Sequence, residues 1–245
     1  MLVILIIISG AIFGSFCNVV IYRLPLILRG ETRSLSWPPS HCPRCQQAIR
    51  WWHNIPLFGW LLLRGRCANC RQHISYRYPL VEGLVAGLFG TIIWRQGLTP
   101  QSVFDLLAVV LLVPLIFIDL DTMLLPDRLT FPLLFLALLL AATGNSSVDL
   151  LSSLFAAVTG FGVPWLLSTL FRLLRGQEGM GRGDMKLLAA LGAWLGPLAL
   201  LDIFAASSLL ALASALLLLK HKPGQPFPFG PYPITAALGW MVFFH

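Results

Sequence analysis

The chain has 245 residues, of which 57% are hydrophobic and 11% charged, with a mean hydropathy of +0.81. Soluble domains carry about 25% charged residues, so a globular fold solvated by water is excluded and the solvent is a bilayer. The formal net charge of +7 does not point to nucleic acid, because the basic residues gather in one early segment, as the positive-inside rule expects of a cytoplasmic loop.

Several apolar runs approach the ~20 residues that cross a bilayer. Backbone hydrogen bonds must close within such segments, and the runs lack the alternation of barrel strands. The chain therefore reads as an all-α polytopic membrane protein. A first helix at about 2–22 is apolar from residue 1. It has no basic start or clear cleavage site, and is expected to be a retained helix and not a signal peptide.

Residues 23–78 form the one long polar region, with Arg23, Arg29, Arg33, Arg44, Arg50, Arg64, Arg66, Arg71 and Arg77 against Glu31 alone. This loop is expected in the cytoplasm, with the N-terminus outside. Further helices follow at about 79–97, 101–119, 128–143, 149–171, 185–198, 199–219 and 231–244, which makes about eight transmembrane helices. Arg128, Arg172, Arg175, Arg182, Lys186, Lys220 and Lys222 then fall on the cytoplasmic side and only Arg95 outside. Seven helices, with 185–198 and 199–219 merged or one of them re-entrant, is the alternative. Small-xxx-small pairs at Gly10/Gly14, Gly83/Gly87 and Gly192/Gly196 are expected to serve helix packing. No internal repeat is evident.

The basic loop contains Cys42-Pro43-Arg44-Cys45 and Cys67-Ala68-Asn69-Cys70. Two such pairs in one loop have the spacing of a four-cysteine structural zinc site. Four thiolates complete a tetrahedron and leave no open position for chemistry. Metal would supply much of the folding energy of so polar a loop. Disulfides are disfavoured in a reducing compartment. A redox role lacks the accompanying thioredoxin-like pattern. His41 and His73 flank the pairs as substitute ligands, and Cys17 reads as a packing residue.

The ten acidic residues are Glu31, Glu82, Asp105, Asp119, Asp121, Asp127, Asp149, Glu178, Asp184 and Asp202. Asp105, Asp149 and Asp202 are expected to be solvated at outer helix ends. Asp119, Asp121 and Asp127 lie where the third helix meets the cytoplasmic face. Asp184, in Gly181-Arg182-Gly183-Asp184, lies at the same face. The glycines before it permit close approach and unusual dihedrals. Two carboxylates sharing a proton can hydrolyse a peptide, one activating water while the other protonates the carbonyl. Alternatively Asp184 and Asp127 cap helices. Spacing does not choose among Asp119, Asp121 and Asp127.

The chain resembles the type IV prepilin peptidases, or leader peptidase/N-methyltransferases, over nearly its whole length. The resemblance is carried by residues 14–25 (GSFCNVVIYRLP), the two cysteine pairs, 54–56 (NIP), 75–82 (SYRYPLVE), 118–119 (ID) and 125–127 (LPD). It continues in 181–184 (GRGD) with Lys186, and in 229–231 (FGP). It implies an inner-membrane aspartic protease whose catalytic pair is Asp119 and Asp184. Such an enzyme removes the basic leader of prepilins or type II secretion pseudopilins after a glycine, on the cytoplasmic side. It also implies methylation of the new N-terminus with S-adenosylmethionine, although no glycine-rich fingerprint for that cofactor is present. Arg182 departs from the family pattern, which is more often apolar or aromatic there, and places a cation beside Asp184.

The implied organisation is a first transmembrane helix at 1–22, a cytoplasmic zinc-binding domain at 23–78 with Cys42, Cys45, Cys67 and Cys70 as ligands, and a transmembrane aspartic protease domain at 79–245. Two other readings compete. One is an ion- or proton-coupled transporter using the same carboxylates. The other is a scaffold docking through its zinc loop.

Overall fold

The computed structural model describes residues 1–32, 34–176, 179–218 and 227–244. Arg33, Glu178, Lys220 and Lys222, placed above, lie outside the described residues. The described residues are helical, with isolated bridges and no strand. In order the helices are α1 (Leu2–Leu28), α2 (Phe58–Leu62), α3 (Arg77–Gln96), α4 (Pro100–Thr122), α5 (Asp127–Ala142), α6 (Leu150–Arg175), α7 (Arg182–Ala213) and α8 (Pro231–Phe243). A 3-10 turn at Trp51–Asn54 precedes α2, and a π turn at Ser214–Leu218 extends α7.

Local chemistry sets several of these bounds. Thr99 and Ser102 form a reciprocal capping box ahead of Pro100 at the start of α4. Asp149 accepts from the Ser152 backbone N–H at 3.0 Å and caps α6. Gly176, at φ 71°, closes α6 in the left-handed region. α1 runs on through Pro25 to Leu28, past the expected end, and takes Arg23 with it.

Among the described residues four helices are long and apolar enough to cross a bilayer: Leu2–Leu28, Pro100–Thr122, Leu150–Arg175 and Arg182–Leu216. Large apolar side chains face outward on them, with Leu151 77% and Leu198 76% exposed. Water would not tolerate such a surface, whereas lipid solvates it. The count of eight spans is not confirmed. α5 and α8, at 16 and 13 residues, fall short of the ~20 that span a bilayer. The segments expected at 185–198 and 199–219 form one element, broken where Gly196 takes φ 88° and ψ 174°. Only glycine adopts that conformation without strain.

The chain folds as two compact units, 1–95 and 96–245. α3, grouped by sequence with the residues that follow it, falls almost wholly in the first. There the backbone of α3 closes on α1: a Cβ on Gly10 would stand 2.9 Å from the Ala86 Cα, and one on Gly14 2.7 Å from the Glu82 Cα. Gly83 and Gly87 make no comparable approach, so that pair does not serve close packing.

In the second unit α7 packs on α5, α6 and α8, and α8 also packs on α4. Gly160 and Gly192 bring α6 and α7 into backbone contact, and Ser153 Oγ donates to the Ala193 carbonyl at 2.6 Å. Asp105, expected to be solvated, is instead fully buried. Its Oδ1 accepts from Trp194 Nε1 at 3.0 Å and from Gln101 Nε2 at 2.9 Å, which joins α4 to α7. A buried carboxylate is retained only with such donors.

Candidate active site

The second unit gathers residues from the end of α4, the start of α7 and the start of α8. Asp119 lies in the last turn of α4 and is 4% exposed. Its Oδ2 accepts from the Gly230 backbone N–H at 3.0 Å. α4 stops just after it, because Met123 turns left-handed and its N–H closes on the Asp119 carbonyl at 2.8 Å.

Gly181 is the N-cap of α7 and Asp184 is its third helical residue. The Asp184 carboxylate folds back on the turn, with Oδ2 3.0 Å from where a Gly181 Cβ would stand. Asp184 is half-buried and lies within electrostatic range of Asp119. Leu125 wedges between the two glycine turns. A Cβ on Gly183 would meet its Cβ at 3.0 Å, and one on Gly230 would meet its Cδ2 at 3.1 Å. These glycines are therefore needed for missing side-chain volume. Gly181 has an ordinary φ of −67°, so the unusual dihedral expected before Asp184 is not present there.

The three carboxylates left open by spacing have different surroundings. Asp127 is exposed, and both its oxygens pair with Lys186 Nζ, at 2.7 and 2.8 Å. It sits in the first turn of α5 but makes no capping bond; Pro126 is the N-cap. Asp121 is exposed on the last turn of α4. Only Asp119 is buried. Arg182 is exposed, and among the described residues no ion pair joins it to Asp184. Asp119 is thus a buried carboxylate with a single N–H donor, and Asp184 is a second, half-buried carboxylate close enough to feel its charge.

The first unit holds the cysteines. Cys42, Cys45, Cys67 and Cys70 keep their Sγ atoms within 4.8 Å of one another. Cys42 and Cys70 are 3.7 Å apart, and Cys45 and Cys67 4.0 Å. Zinc–sulfur bonds of ~2.3 Å in a tetrahedron separate the sulfurs by ~3.8 Å. All four are free thiols, so the cluster fits a zinc ion and not a disulfide.

The two cysteine turns are also copies of one another, a repeat that sequence inspection missed. Cys42 N–H donates to Gln47 as Cys67 N–H does to Gln72, at 3.0 and 2.8 Å. Ile49 N–H donates to Ser40 as Ile74 N–H does to Gly65. Gln46 and Arg71 share φ near +57°. The offset is 25 residues throughout (67 − 42).

Within the cluster the backbone N–H of Gln47 holds the Cys45 thiol down to about 6, and those of Cys70 and Asn69 lower Cys67. The Gln72 N–H acts the same way on Cys70, but desolvation and the neighbouring sulfurs push it up to about 11. Four sulfurs at this spacing could hold a central cation, which would favour the thiolate form of each. His41 is turned to the Pro39 carbonyl and His73 lies against Tyr76, so neither joins the sulfurs.

Residues 8–96 match the family described as Bacterial Peptidase A24 N-terminal domain, and residues 106–216 match the Type IV leader peptidase family. Asp119 and Asp184 both fall in the second match. The chain belongs to the type IV leader peptidase family. A prepilin leader peptidase/N-methyltransferase of Neisseria gonorrhoeae is 43% identical over 253 residues, covering 96% of this chain and 87% of that protein. One from Aeromonas salmonicida is 44% identical, covering 97% and 89%, and one from Dichelobacter nodosus is 39% identical, covering 95% and 87%. No solved structure matches the chain.

The sulfur geometry predicts one zinc per chain by elemental analysis of protein purified without chelator. Replacing zinc with cobalt should give the intense sulfur-to-cobalt absorption and the d–d bands of a tetrahedral four-thiolate site. Zinc-free, folded protein would contradict it.

Proposed function

We propose that this family member removes the basic leader from type IV prepilins or type II secretion pseudopilins and then methylates the new N-terminus. The observation that carries the peptidase reading is that half-buried Asp184 lies within electrostatic range of buried Asp119. One carboxylate, ionised, takes a proton from water; the other, protonated, donates to the scissile carbonyl oxygen. The Gly230 N–H fixes the Asp119 oxygen it bonds and leaves the other oxygen for water or for the shared proton. The Asp127–Lys186 pair neutralises both of its charges and leaves Asp127 a supporting role.

Cys42, Cys45, Cys67 and Cys70 are the proposed zinc ligands, a structural metal that ties the two halves of the 23–78 domain together. S-adenosylmethionine would supply the methyl group. The basic loop supports placement in the inner membrane with cleavage at the cytoplasmic face. The 1–22, 23–78 and 79–245 organisation is retained as a functional division: anchor, zinc domain and protease. The relatives give the transporter reading no support.

Incubation with a prepilin peptide, with and without S-adenosylmethionine, followed by mass spectrometry, tests both activities. The expected spectrum shows leader loss in both arms and a 14 Da gain on the mature peptide only with the cofactor, one methyl replacing one hydrogen. An intact peptide in both arms would end the proposal.

Gly230→Ala adds a Cβ 3.0 Å from Asp119 Oδ2. It is expected to lower kcat by about 10- to 100-fold with little change in KM, since small misplacements of catalytic groups are costly. Gly239→Ala, with open space around it, serves as the control. Equal kinetics for the two variants would contradict the role given to Gly230.

A further inference from the structure

The first unit contains a cavity of about 830 Å³ lined by α1, α3 and the cysteine loop. Sites for small molecules have roughly 300–1,000 Å³ and a few converging polar groups. Glu82 lines this cavity and is 7% exposed. Its carboxylate accepts from the Leu57 backbone N–H at 2.7 Å and from the Ser15 side chain. Both donors are neutral, and among the described residues no ion pair reaches Glu82.

Arg23, a buried cation of the same cavity, directs its guanidinium to the carbonyls of Ser34, Leu35 and Pro38. A buried carboxylate held by neutral donors lacks a counter-charge, and a cation brought beside it favours its ionised form. At the wall of a ligand-sized cavity it is complementary to a cation. Trp60 and Tyr78 also line the cavity, and aromatic faces favour the same sign of charge.

We propose that this cavity binds S-adenosylmethionine, with Glu82 facing the positively charged sulfur. The inference rests on the methyltransferase reading above and names residues for a site that reading leaves unplaced. In the transfer the methyl carbon bonds the lone pair of the new N-terminal amine. The carbon–sulfur electron pair stays on sulfur, and the surplus proton on nitrogen passes to water. The sulfur is then neutral, so the carboxylate that favours the donor does not favour its product.

The test is calorimetric titration of full-length, zinc-loaded protein with S-adenosylmethionine and with S-adenosylhomocysteine, whose sulfur is neutral. Wild type is expected to bind the donor about tenfold tighter than the product, or ~1.4 kcal/mol. Glu82→Gln, which keeps an acceptor for the Leu57 N–H, should remove that preference while product affinity stays within about twofold. Equal affinities in wild type, parallel weakening of both ligands in the variant, or no donor binding would each overturn the proposal. The wild-type ratio stands even if the variant fails to fold. Peptide cleavage by the same preparation separates the failures: cleavage without donor binding removes this inference alone, and absence of cleavage removes the peptidase reading as well.

Discussion

The bond from the Gly230 N–H to Asp119 spans 111 residues and ties the end of α4 to the start of α8. α8 packs in turn on α7, the helix that carries Asp184. Three helix ends thus converge around the two carboxylates, and the convergence needs glycine at each approach. Leu125 fills the space that the glycines at 183 and 230 leave. Any residue with a Cβ at those positions would drive the wedge, or the carboxylate itself, out of place. The glycines of the site serve as absent volume next to charged oxygen.

The same low-dielectric surroundings dictate how the other acids are handled. Asp105 is buried deeper than Asp119 and is matched by an indole N–H and an amide, both fixed by packing. Asp127 is near the surface and is matched by a lysine. Glu82, in the other unit, has neutral donors and a cavity beside it. A carboxylate with strong fixed partners has little reason to react, whereas one with an open side is available for a proton, water or a cationic ligand. By that criterion Asp119 with Asp184, and Glu82, stand apart from Asp127.

Much of this was legible in the sequence where chemistry is local. Two cysteines separated by two residues define a turn by themselves, and the four sulfurs lie together as the spacing implied. Apolar runs marked the helices. The choice among Asp119, Asp121 and Asp127 was not legible from spacing, because Lys186 lies 59 residues from Asp127 and Gly230 lies 111 from Asp119. Asp105 was misread for the same reason: nearness to a helix end says nothing about Trp194, 89 residues on. The turn between the segments expected at 185–198 and 199–219 falls at Gly196, where a single residue at positive φ breaks α7. Sequence also placed Arg182 beside Asp184, but among the described residues no ion pair joins the two.

The central claim is that Asp119 and Asp184, and neither Asp121 nor Asp127, form the working pair. The most direct measurement is leader cleavage by four separate Asp→Asn variants, each reconstituted in lipid and matched for thermal unfolding. Asp119→Asn and Asp184→Asn are expected to lose at least ~10²-fold in kcat, the scale of a general acid or base. Asp121→Asn and Asp127→Asn should stay within about tenfold of wild type. Wild-type rates from Asp119→Asn or Asp184→Asn, or an equal collapse in Asp121→Asn, would contradict the account.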